Sequence, residues 1–350
     1  MLQQRKTLPI FQNIGNSSFL LGLILIITIA CISQYLSSLS WVKTTGLSAL
    51  TIAILLGIVI GNTFFNHIAT HTVSGVDFSK NTLLRFGIIC YGFRITFQQF
   101  SSVGWSGVLI ATVMLASTFM LAMLIGIKLL KLDKQTAILI GAGSSICGAA
   151  AVMAAEPIVK GQAHKVAVAV ATVVVFGTIA MFLYPLLFPY LGLSEQAYGV
   201  FAGSTIHEVA QVVVAGKNIS EAAASAAVIE KMLRVMLLAP FLMMLSITLA
   251  KKGDNTSKAK INIPWFAVLF ILVALFNSLV TIPNSILDLI NSADTLFLTM
   301  AMAALGVRTH LGAIRQAGIK PLLLAGSLFI FLIVGGYTIN LGIHHLFING

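Results

Sequence analysis

The chain has 350 residues, of which 58% are hydrophobic and only 9% are charged, and its mean hydropathy is +1.00. Soluble domains carry about a quarter charged residues, so the composition excludes a soluble domain and predicts an all-α, polytopic membrane protein. The net charge of +11 is no sign of nucleic-acid binding, because the basic residues do not form a patch interleaved with aromatic ones. No phosphate-binding loop of the Walker type occurs, so ATP-driven transport by this chain is not expected.

The predicted elements are apolar stretches long enough to cross a bilayer, which takes about 20 helical residues. Eleven such stretches follow one another, at 17–36, 44–62, 80–98, 104–127, 135–155, 165–189, 196–215, 222–249, 263–282, 294–309 and 320–346. Polar and small residues interrupt the third, the fifth and the seventh, so ten spans with one re-entrant piece fit nearly as well. The whole chain, 1–350, is predicted to form a single integral membrane domain.

The distribution of basic residues predicts the orientation of these spans, because cytoplasmic loops are enriched in Lys and Arg. With the N-terminus in the cytoplasm and an uncleaved first helix, most basic residues in the loops and near the ends of the spans lie on the cytoplasmic side. They are Arg5, Lys6, Lys80, Lys128, Lys131, Lys134, Lys251, Lys252, Lys258, Lys260, Arg308, Arg315 and Lys320. The residues on the other side are Lys43, Arg94, Lys160, Lys165 and Lys217.

Two motifs repeat one another inside the fifth and the seventh stretch. Residues 143–152 read GSSICGAAAV, and residues 203–212 read GSTIHEVAQV. Gly and Ser are poor in a helix interior and common at N-caps, so we expect helices to begin at Ser144–Ser145 and at Ser204–Thr205. Paired interrupted helices are the best sequence pointer to the binding site of a secondary transporter.

A second repeat indicates inverted symmetry. A Gly-x-Arg sequence occurs at 92–94 and again at 306–308, and a glycine follows ten residues after each arginine, at Gly104 and Gly318. The predicted topology places the two arginines on opposite sides of the membrane. Inverted repeats of this kind build two gates around one central site in many secondary transporters. Arg94 and Arg308 are interpreted as interfacial anchors, with gating as the alternative.

Ionisable residues within the predicted spans are functional candidates, because charge is costly inside a bilayer. The seventh stretch contains His207 and Glu208, and the eighth contains Glu230, Lys231 and Arg234. Helical spacing places the last three on one face. One interpretation is a closed salt-bridge network. The other is that the two cations bind an oxyanion while His207, Glu208 and Glu230 couple its movement to protons.

The oxyanion interpretation draws its ligands from both motifs and the eighth helix, with helix N-termini supplying further N–H donors. The predicted substrate-binding residues are Ser144, Ser145, Gly148, Ser204, Thr205, Gln211, Lys231 and Arg234. No catalytic, metal or cofactor site is predicted, since Cys31, Cys90 and Cys147 lack metal-ligand spacing.

Three ordered motifs resemble those of one known family. GSSICGA at 143–149, STIHEVAQVV at 204–213 and KMLRVMLLAP at 231–240 are similar to motifs of the YeiH-type membrane proteins, the sulfate exporter (PSE) family. The resemblance covers nearly the whole chain and implies a multi-pass bacterial inner-membrane protein that exports sulfate, a related sulfur oxyanion or a sulfonate. A broader resemblance, to inverted-repeat carriers of the bile-acid and sodium–proton antiporter type, implies a site where two broken helices cross.

The leading hypothesis is a secondary transporter, not an enzyme, that moves a small oxyanion as a proton-coupled carrier or an exchanger. The first motif carries no acidic residue, which favours protons over sodium as the coupling ion. The alternatives are a sodium-coupled organic-anion carrier, a passive anion channel and an intramembrane hydrolase that uses Ser144 or Ser145 with His207. The expected partners are a small anion and the lipid bilayer, with no nucleic acid and no cofactor, and a homodimer is among the assemblies considered.

Overall fold

A computed structural model describes residues 17–39, 42, 48–249, 265–309 and 318–348. Helices make up the regular structure of these residues, and six of them are long and apolar enough to cross a membrane. The prediction of an all-α polytopic membrane protein is therefore confirmed. The following basic residues, which were used to predict the orientation, lie outside the described residues: Arg5, Lys6, Lys43, Lys251, Lys252, Lys258, Lys260 and Arg315.

The helices are numbered in chain order. They are α1 Ser17–Ser38, α2 Ala49–Thr63, α3 Phe65–Phe78, α4 Leu84–Tyr91, α5 Phe97–Met123, α6 Lys134–Ser145, α7 Ala149–Val159, α8 Ala163–Leu191, α9 Glu195–Thr205, α10 Val209–Lys217, α11 Glu221–Met236, α12 Leu238–Leu249, α13 Trp265–Leu279, α14 Asn284–Val307 and α15 Ile319–Ile348. Short π-helical segments cover Ser79–Leu83 and Leu124–Leu129, and a 3₁₀ turn covers Gly92–Arg94. Two compact units result, the first with α1–α4 and α14 and the second with α5–α13 and α15.

The first unit is held together by close backbone contact between its helices. A Cβ atom on Gly57 of α2 would lie 2.4 Å from a backbone oxygen of α14, and one on Gly306 of α14 would lie 2.3 Å from a backbone oxygen of α2. Small residues allow this approach, which is a usual source of helix association in lipid. Beyond the end of α14, the Nε atom of Arg308 lies 2.9 Å from a carboxylate oxygen of Asp77 on α3.

The fifth predicted span is a helical hairpin in the second unit, formed by α6 and α7 and here called the first hairpin. Asp133 caps α6 by accepting a hydrogen bond from the Thr136 amide at 3.1 Å. The side chain of Gln135 donates to the carbonyl oxygen of Lys160 at 3.2 Å, and the Lys165 ammonium lies 2.8 Å from the Asp133 carboxylate. The chain therefore leaves the hairpin where it entered. The prediction that Lys160 and Lys165 lie across the membrane from Lys134 is wrong.

The base of the first hairpin carries a charge cluster outside the membrane-spanning segments. Partial burial raises the pKa of the Asp133 carboxyl, but hydrogen bonds from Lys165 and Thr136 outweigh it and lower that pKa to about 2. Asp133 therefore stays ionised at any physiological pH and holds the start of α6 to the start of α8.

The seventh predicted span is a second hairpin, formed by α9 and α10. The Tyr198 hydroxyl near the start of α9 donates to the carbonyl oxygen of Ala215 near the end of α10, at 3.3 Å. Helix α8 joins the two hairpins, and its 29 residues correspond to about 43 Å, which exceeds the roughly 30 Å hydrocarbon core. The hairpins therefore enter from opposite sides. Their arms have 9 to 12 residues, or roughly half the core thickness, so their tips lie near the middle.

The Gly-Ser parts of the two motifs lie at the ends of helices and not at their beginnings. Ser144–Ser145 ends α6 and Ser204–Thr205 ends α9, whereas the new helices begin at Ala149 and Val209. The prediction that helices start at the Ser and Thr residues is therefore wrong. Gly148 and Glu208 occupy the two N-cap positions, one in each hairpin.

Helix α11 packs tightly on both arms of the second hairpin. Cβ atoms at Gly199 and Gly203 of α9 would each lie 2.4 Å from a backbone oxygen of α11, and one at Gly216 of α10 would lie 2.5 Å from an α11 Cα atom. These glycines bring α11 close enough for its side chains to reach the hairpin tips. The other sequence repeat also has a structural counterpart, since Gly104 and Gly318 both have positive φ, at 49° and 77°, and each precedes a long apolar helical segment.

The hairpin geometry predicts which residues are accessible from the same side of the membrane. Single cysteines at Lys134 and Lys160, in a protein whose three native cysteines are replaced by alanine, should react with an impermeant maleimide from one side only, and from the same side. A cysteine at Glu195, at the base of the second hairpin, should react from the opposite side. Labelling of positions 134 and 160 from opposite sides would contradict the hairpin.

Candidate functional site

The hairpin tips, Ile146–Gly148 and Ile206–Glu208, bring four helix ends together within the second unit. Each helix end leaves backbone groups without an intrahelical partner. Inside a bilayer such groups must be satisfied by protein or by water in a protein cavity, since lipid offers neither donors nor acceptors. The side chains that satisfy them define the candidate site.

Two fully buried cations of α11 bind the carbonyl oxygens at the C-terminal ends of α6 and α9. The Lys231 ammonium donates to Ile146 at 2.8 Å and to Ile206 at 2.6 Å. The Arg234 guanidinium donates to Ser145 and to Ser144, each at 2.6 Å, and to Ile206 at 3.4 Å. Because a helix C-terminus carries partial negative charge, these positions stabilise cations. Lys231 and Arg234 therefore tie both hairpin tips to α11.

The N-terminal ends of α7 and α10 share one carboxylate. The Glu208 and Gln211 residues form a capping box. The Glu208 carboxylate accepts a hydrogen bond from the backbone N–H of Gln211, and the Gln211 side-chain oxygen accepts one from the backbone N–H of Glu208 at 3.0 Å. The same carboxylate accepts a hydrogen bond from the Ala149 amide of α7 at 3.4 Å. Gly148 makes this possible, because a Cβ atom there would lie 2.5 Å from the Glu208 Cγ atom. A single negative charge thus sits where two helices present their positive ends.

The charged residues at the tips differ in accessibility. Lys231 and Arg234 are 0% exposed, whereas Glu208 is partly exposed. Most donors of the two cations are directed at backbone oxygens, and both side chains are enclosed by protein. The position of the Glu208 carboxylate is the more accessible one, and its surroundings already stabilise a negative charge.

Most of the polar side chains predicted to bind substrate contact backbone atoms. The hydroxyls of Ser145, Ser204 and Thr205 donate to carbonyl oxygens of their own helices. The Gln211 side chain also donates to the carbonyl oxygen of Val174 on α8, at 3.5 Å, which ties α10 to that helix. These groups stabilise the hairpins in this structure, and their predicted role in substrate binding stays a prediction.

Three buried side chains at the tips and on α11 have polar atoms without a hydrogen-bond partner among the described residues. They are Ser144 at its hydroxyl, His207 at Nδ1 and Glu230 at both carboxylate oxygens. Glu230 therefore forms no ion pair among the described residues, so the interpretation of Glu208, Glu230, Lys231 and Arg234 as a closed salt-bridge network is wrong. The bonds of the two cations to the hairpin ends explain why.

Sequence comparison places these features in a family. The family model "Conserved hypothetical protein 698" matches residues 21–325. The inner membrane protein YeiH of Salmonella typhimurium, a UPF0324 protein, is 54% identical over 332 residues, which cover 94% of this chain and 95% of that protein. The chain belongs to the UPF0324 family. A UPF0324 membrane protein of Pasteurella multocida is 50% identical over 334 residues, covering 95% of this chain and 99% of its own.

The resemblance to YeiH-type proteins is confirmed by these matches, and so is a multi-pass membrane protein related to bacterial inner-membrane proteins. No solved structure matches the chain.

Two buried polar residues of this UPF0324 protein were missed in the sequence. Asn340 of α15 donates to the Ser204 hydroxyl at 3.0 Å, and its signal was a lone amide in the middle of the last apolar stretch. Asp294 is fully buried, because α14 begins at Asn284 and not at the predicted boundary of 294. A predicted span that begins ten residues too late had placed Asp294 at the membrane surface.

The shared carboxylate predicts a specific steric effect of Gly148→Ala. The new methyl group would displace Glu208 from the Ala149 amide, and we expect a loss of roughly 1–3 kcal/mol in unfolding free energy, as for an overpacked buried site. Gly192→Ala is the control, because Gly192 also has positive φ, at 64°, but a Cβ atom there meets nothing within 4 Å. Thermal unfolding in detergent should show the larger loss for Gly148→Ala. An equal loss of unfolding free energy in the two variants would mean that the strain of alanine at positive φ accounts for both, without a steric effect on Glu208.

The carbonyl contacts predict that Arg234→Met destabilises the fold. Methionine has a similar volume but leaves the carbonyl oxygens of Ser144 and Ser145 without donors, at about 1–3 kcal/mol for each buried group. Lys217→Met is the control, because Lys217 pairs with the exposed carboxylate of Glu221, and such pairs contribute about 0–1 kcal/mol. Chemical or thermal denaturation measures both variants. An Arg234→Met protein as stable as wild type would refute the stabilising role.

Proposed function

We propose that this UPF0324 protein is a secondary transporter of a small oxyanion, such as sulfate, another sulfur oxyanion or a sulfonate, and that it couples anion movement to protons. The observation that carries the proposal is the Glu208 carboxylate between the N-termini of α7 and α10. That position already accommodates one negative charge near the middle of the membrane.

The electrostatics of the tips favour an anion at this position. Helix N-termini bind oxyanions through free N–H donors and the positive end of the helix dipole, and each contributes roughly half an elementary charge. Lys231 and Arg234 add two positive charges close by, and Glu230 removes at most one. With Glu208 neutral or withdrawn, the site has a net positive potential that a small oxyanion can neutralise.

Competition between Glu208 and the anion supplies the proposed coupling. The backbone N–H groups of Ala149 and Gln211 donate either to the Glu208 carboxylate or to an oxygen of the substrate. They cannot donate to both, because the two negatively charged groups would occupy the same position. A proton on Glu208 removes its charge and weakens both bonds, so proton uptake and anion binding occur together. His207 and Glu230, both buried beside the site, are the further proton carriers that we propose.

The two opposed hairpins support a carrier mechanism for this site. Each hairpin enters from one side of the membrane, and inverted elements of this kind allow a central site to open alternately to either side. Ser144, Ser145, Gly148, Ser204, Thr205 and Gln211 shape the tips around the anion. The cytoplasmic N-terminus and the homodimer stay predictions.

The geometry gives no support to the hydrolase alternative. A nucleophilic serine needs a base within hydrogen-bond reach. The Ser144 hydroxyl and the Nδ1 atom of His207 each lack a hydrogen-bond partner among the described residues, and the Ser145 hydroxyl donates to the Ala142 carbonyl oxygen at 3.4 Å. A transporter accounts for these groups without an additional catalytic arrangement.

Transport in proteoliposomes tests the proposal. Purified protein is reconstituted with a pH-sensitive dye inside, and labelled sulfate, sulfite and a sulfonate are offered under imposed pH or sodium gradients. We expect one of the anions to move with protons and without a requirement for sodium. Flux that no pH gradient can drive, and that carries no protons, would contradict proton coupling.

The variant Glu208→Gln tests the site. Glutamine retains the size of the side chain but cannot exchange a proton, so anion flux should become independent of the pH gradient. Glu195→Gln is the matched control, since Glu195 is an exposed carboxylate in the first turn of α9. Proton coupling that survives in Glu208→Gln and matches the control would remove Glu208 from the mechanism.

A further inference from the structure

A cavity of about 310 Å³ lies within the second unit, between α5, the start of α9 and α15. Its polar lining comes from Ser106, Ser194, Gln196, Asn340 and His344. Ser194, Gln196 and His344 are exposed at the base of the second hairpin, and Asn340 is buried deeper, where it contacts Ser204. A volume of this size and polarity holds several water molecules. Its lining contains no lysine, arginine or carboxylate among the described residues, so it is not an oxyanion site.

Glu230 lies directly behind the wall of this cavity. A Cβ atom on Gly107 of α5 would lie 2.6 Å from the Oε2 atom of Glu230 and 2.4 Å from the side chain of Val103, which lines the cavity. The carboxylate and the cavity wall therefore meet at the space that the missing side chain of Gly107 leaves. A smaller cavity of about 90 Å³, lined by Ile229 and Gln196, reaches the residue before Glu230 on α11.

The backbone of α5 is suited to an opening at this point. Gly104 has φ 49° and ψ −150°, which breaks the helix one turn before Gly107. The helical segment after the break begins beside the carboxylate, and a helix N-terminus stabilises a negative charge nearby. Glu230 is fully buried, and neither of its carboxylate oxygens has a hydrogen-bond partner among the described residues. Its carboxylate therefore lies between the wall of the cavity and α11.

We propose that this cavity is the aqueous route by which Glu230 exchanges protons with the solution at the base of the second hairpin, and that Gly107 is the positioning residue at its inner end. The inference rests on the proton-carrying role proposed above for Glu230. It adds the side of the membrane from which the proton arrives and the residues that it passes.

The charges that act on Glu230 come from few elements. On α11 they are Lys231 and Arg234, whose donors are engaged with the hairpin ends. Gly107 of α5 and Gly203 of α9 lie against its side chain and carry no charge. His344 of α15, at the mouth of the cavity, is the titratable side chain on the route itself.

Infrared spectroscopy tests the route without any substrate. The carboxylic acid C=O band that Glu230→Gln removes reports protonation of Glu230, and its shift after transfer to D₂O reports proton exchange. A bulky, impermeant thiol reagent is attached to Ser106→Cys in the protein whose native cysteines are replaced by alanine. We expect the cysteine to react with reagent added on the side where the base of the second hairpin lies. In the unmodified protein the Glu230 band should shift rapidly after transfer to D₂O, and modification of the cysteine should remove this fast phase of proton exchange.

Two controls separate blockage from general disturbance. Thr112→Cys on the same helix is exposed away from the cavity, and its modification should leave the exchange unchanged. Gly107→Ala fills the junction and should also abolish the fast phase, whereas Gly342→Ala, where a Cβ atom meets nothing within 4 Å, should not.

The outcomes distinguish the route from the proposed function. The route is wrong if Ser106→Cys does not react, if its modification leaves the exchange unchanged, or if no Glu230 acid band exists at any pH. If the band exchanges through the cavity but the liposomes move no protons with any of the anions, the proposed coupling fails and the route stands.

Discussion

The satisfaction of four helix ends near the middle of a membrane is the constraint on which the second unit depends. Breaking two helices exposes carbonyl oxygens at one end of each break and amides at the other, and lipid offers neither donors nor acceptors. The chain supplies Lys231 and Arg234 for the carbonyl oxygens and Glu208 for the amides. The charged residues at the tips therefore stabilise the backbone of the broken helices, in addition to any role in binding.

This arrangement explains why the hairpins are asymmetric although their sequences repeat. Both N-cap positions need an acceptor, but one carboxylate serves both when the opposite N-cap has no side chain. Gly148 and Glu208 are therefore a matched pair. Two carboxylates at these positions would repel each other in a medium of low dielectric constant. A single negative charge shared by two helix ends is also the arrangement that the proposed incoming anion would replace.

Much of this could be predicted from the sequence, because the signals were local. The composition determined the class, and the Gly-Ser motifs and the intramembrane charges at 207–208 and 230–234 pointed to the residues that the fold brings together. The direction of each helix at its break was not predictable from propensity. Ser and Thr favour N-caps, but here the carbonyl acceptors at the ends of α6 and α9 find donors on α11. These donors lie 85–90 positions along the chain from the acceptors of α6 and 25–28 positions from that of α9.

The hairpin topology was missed for a similar reason. A hydropathy window does not distinguish one helix of 21 residues from two half-helices that return to the same side. The contacts that do so, from Gln135 to Lys160 and from Lys165 to Asp133, join polar residues that the positive-inside rule had assigned to opposite surfaces. The close approach of Glu230 to the cavity wall requires a glycine at position 107. The sequence does not indicate this, because it follows only from the side chains of Glu230 and Val103 that lie against Gly107.

The proposed coupling requires that an oxyanion and the Glu208 carboxylate compete for the same backbone amides. A structure of the protein determined with saturating selenate, a tetrahedral analogue of sulfate with strong scattering, tests this most directly. We expect selenate oxygens at the backbone amides of Ala149 and Gln211, with the Glu208 side chain displaced. Selenate bound elsewhere, with Glu208 still accepting from both amides, would contradict it.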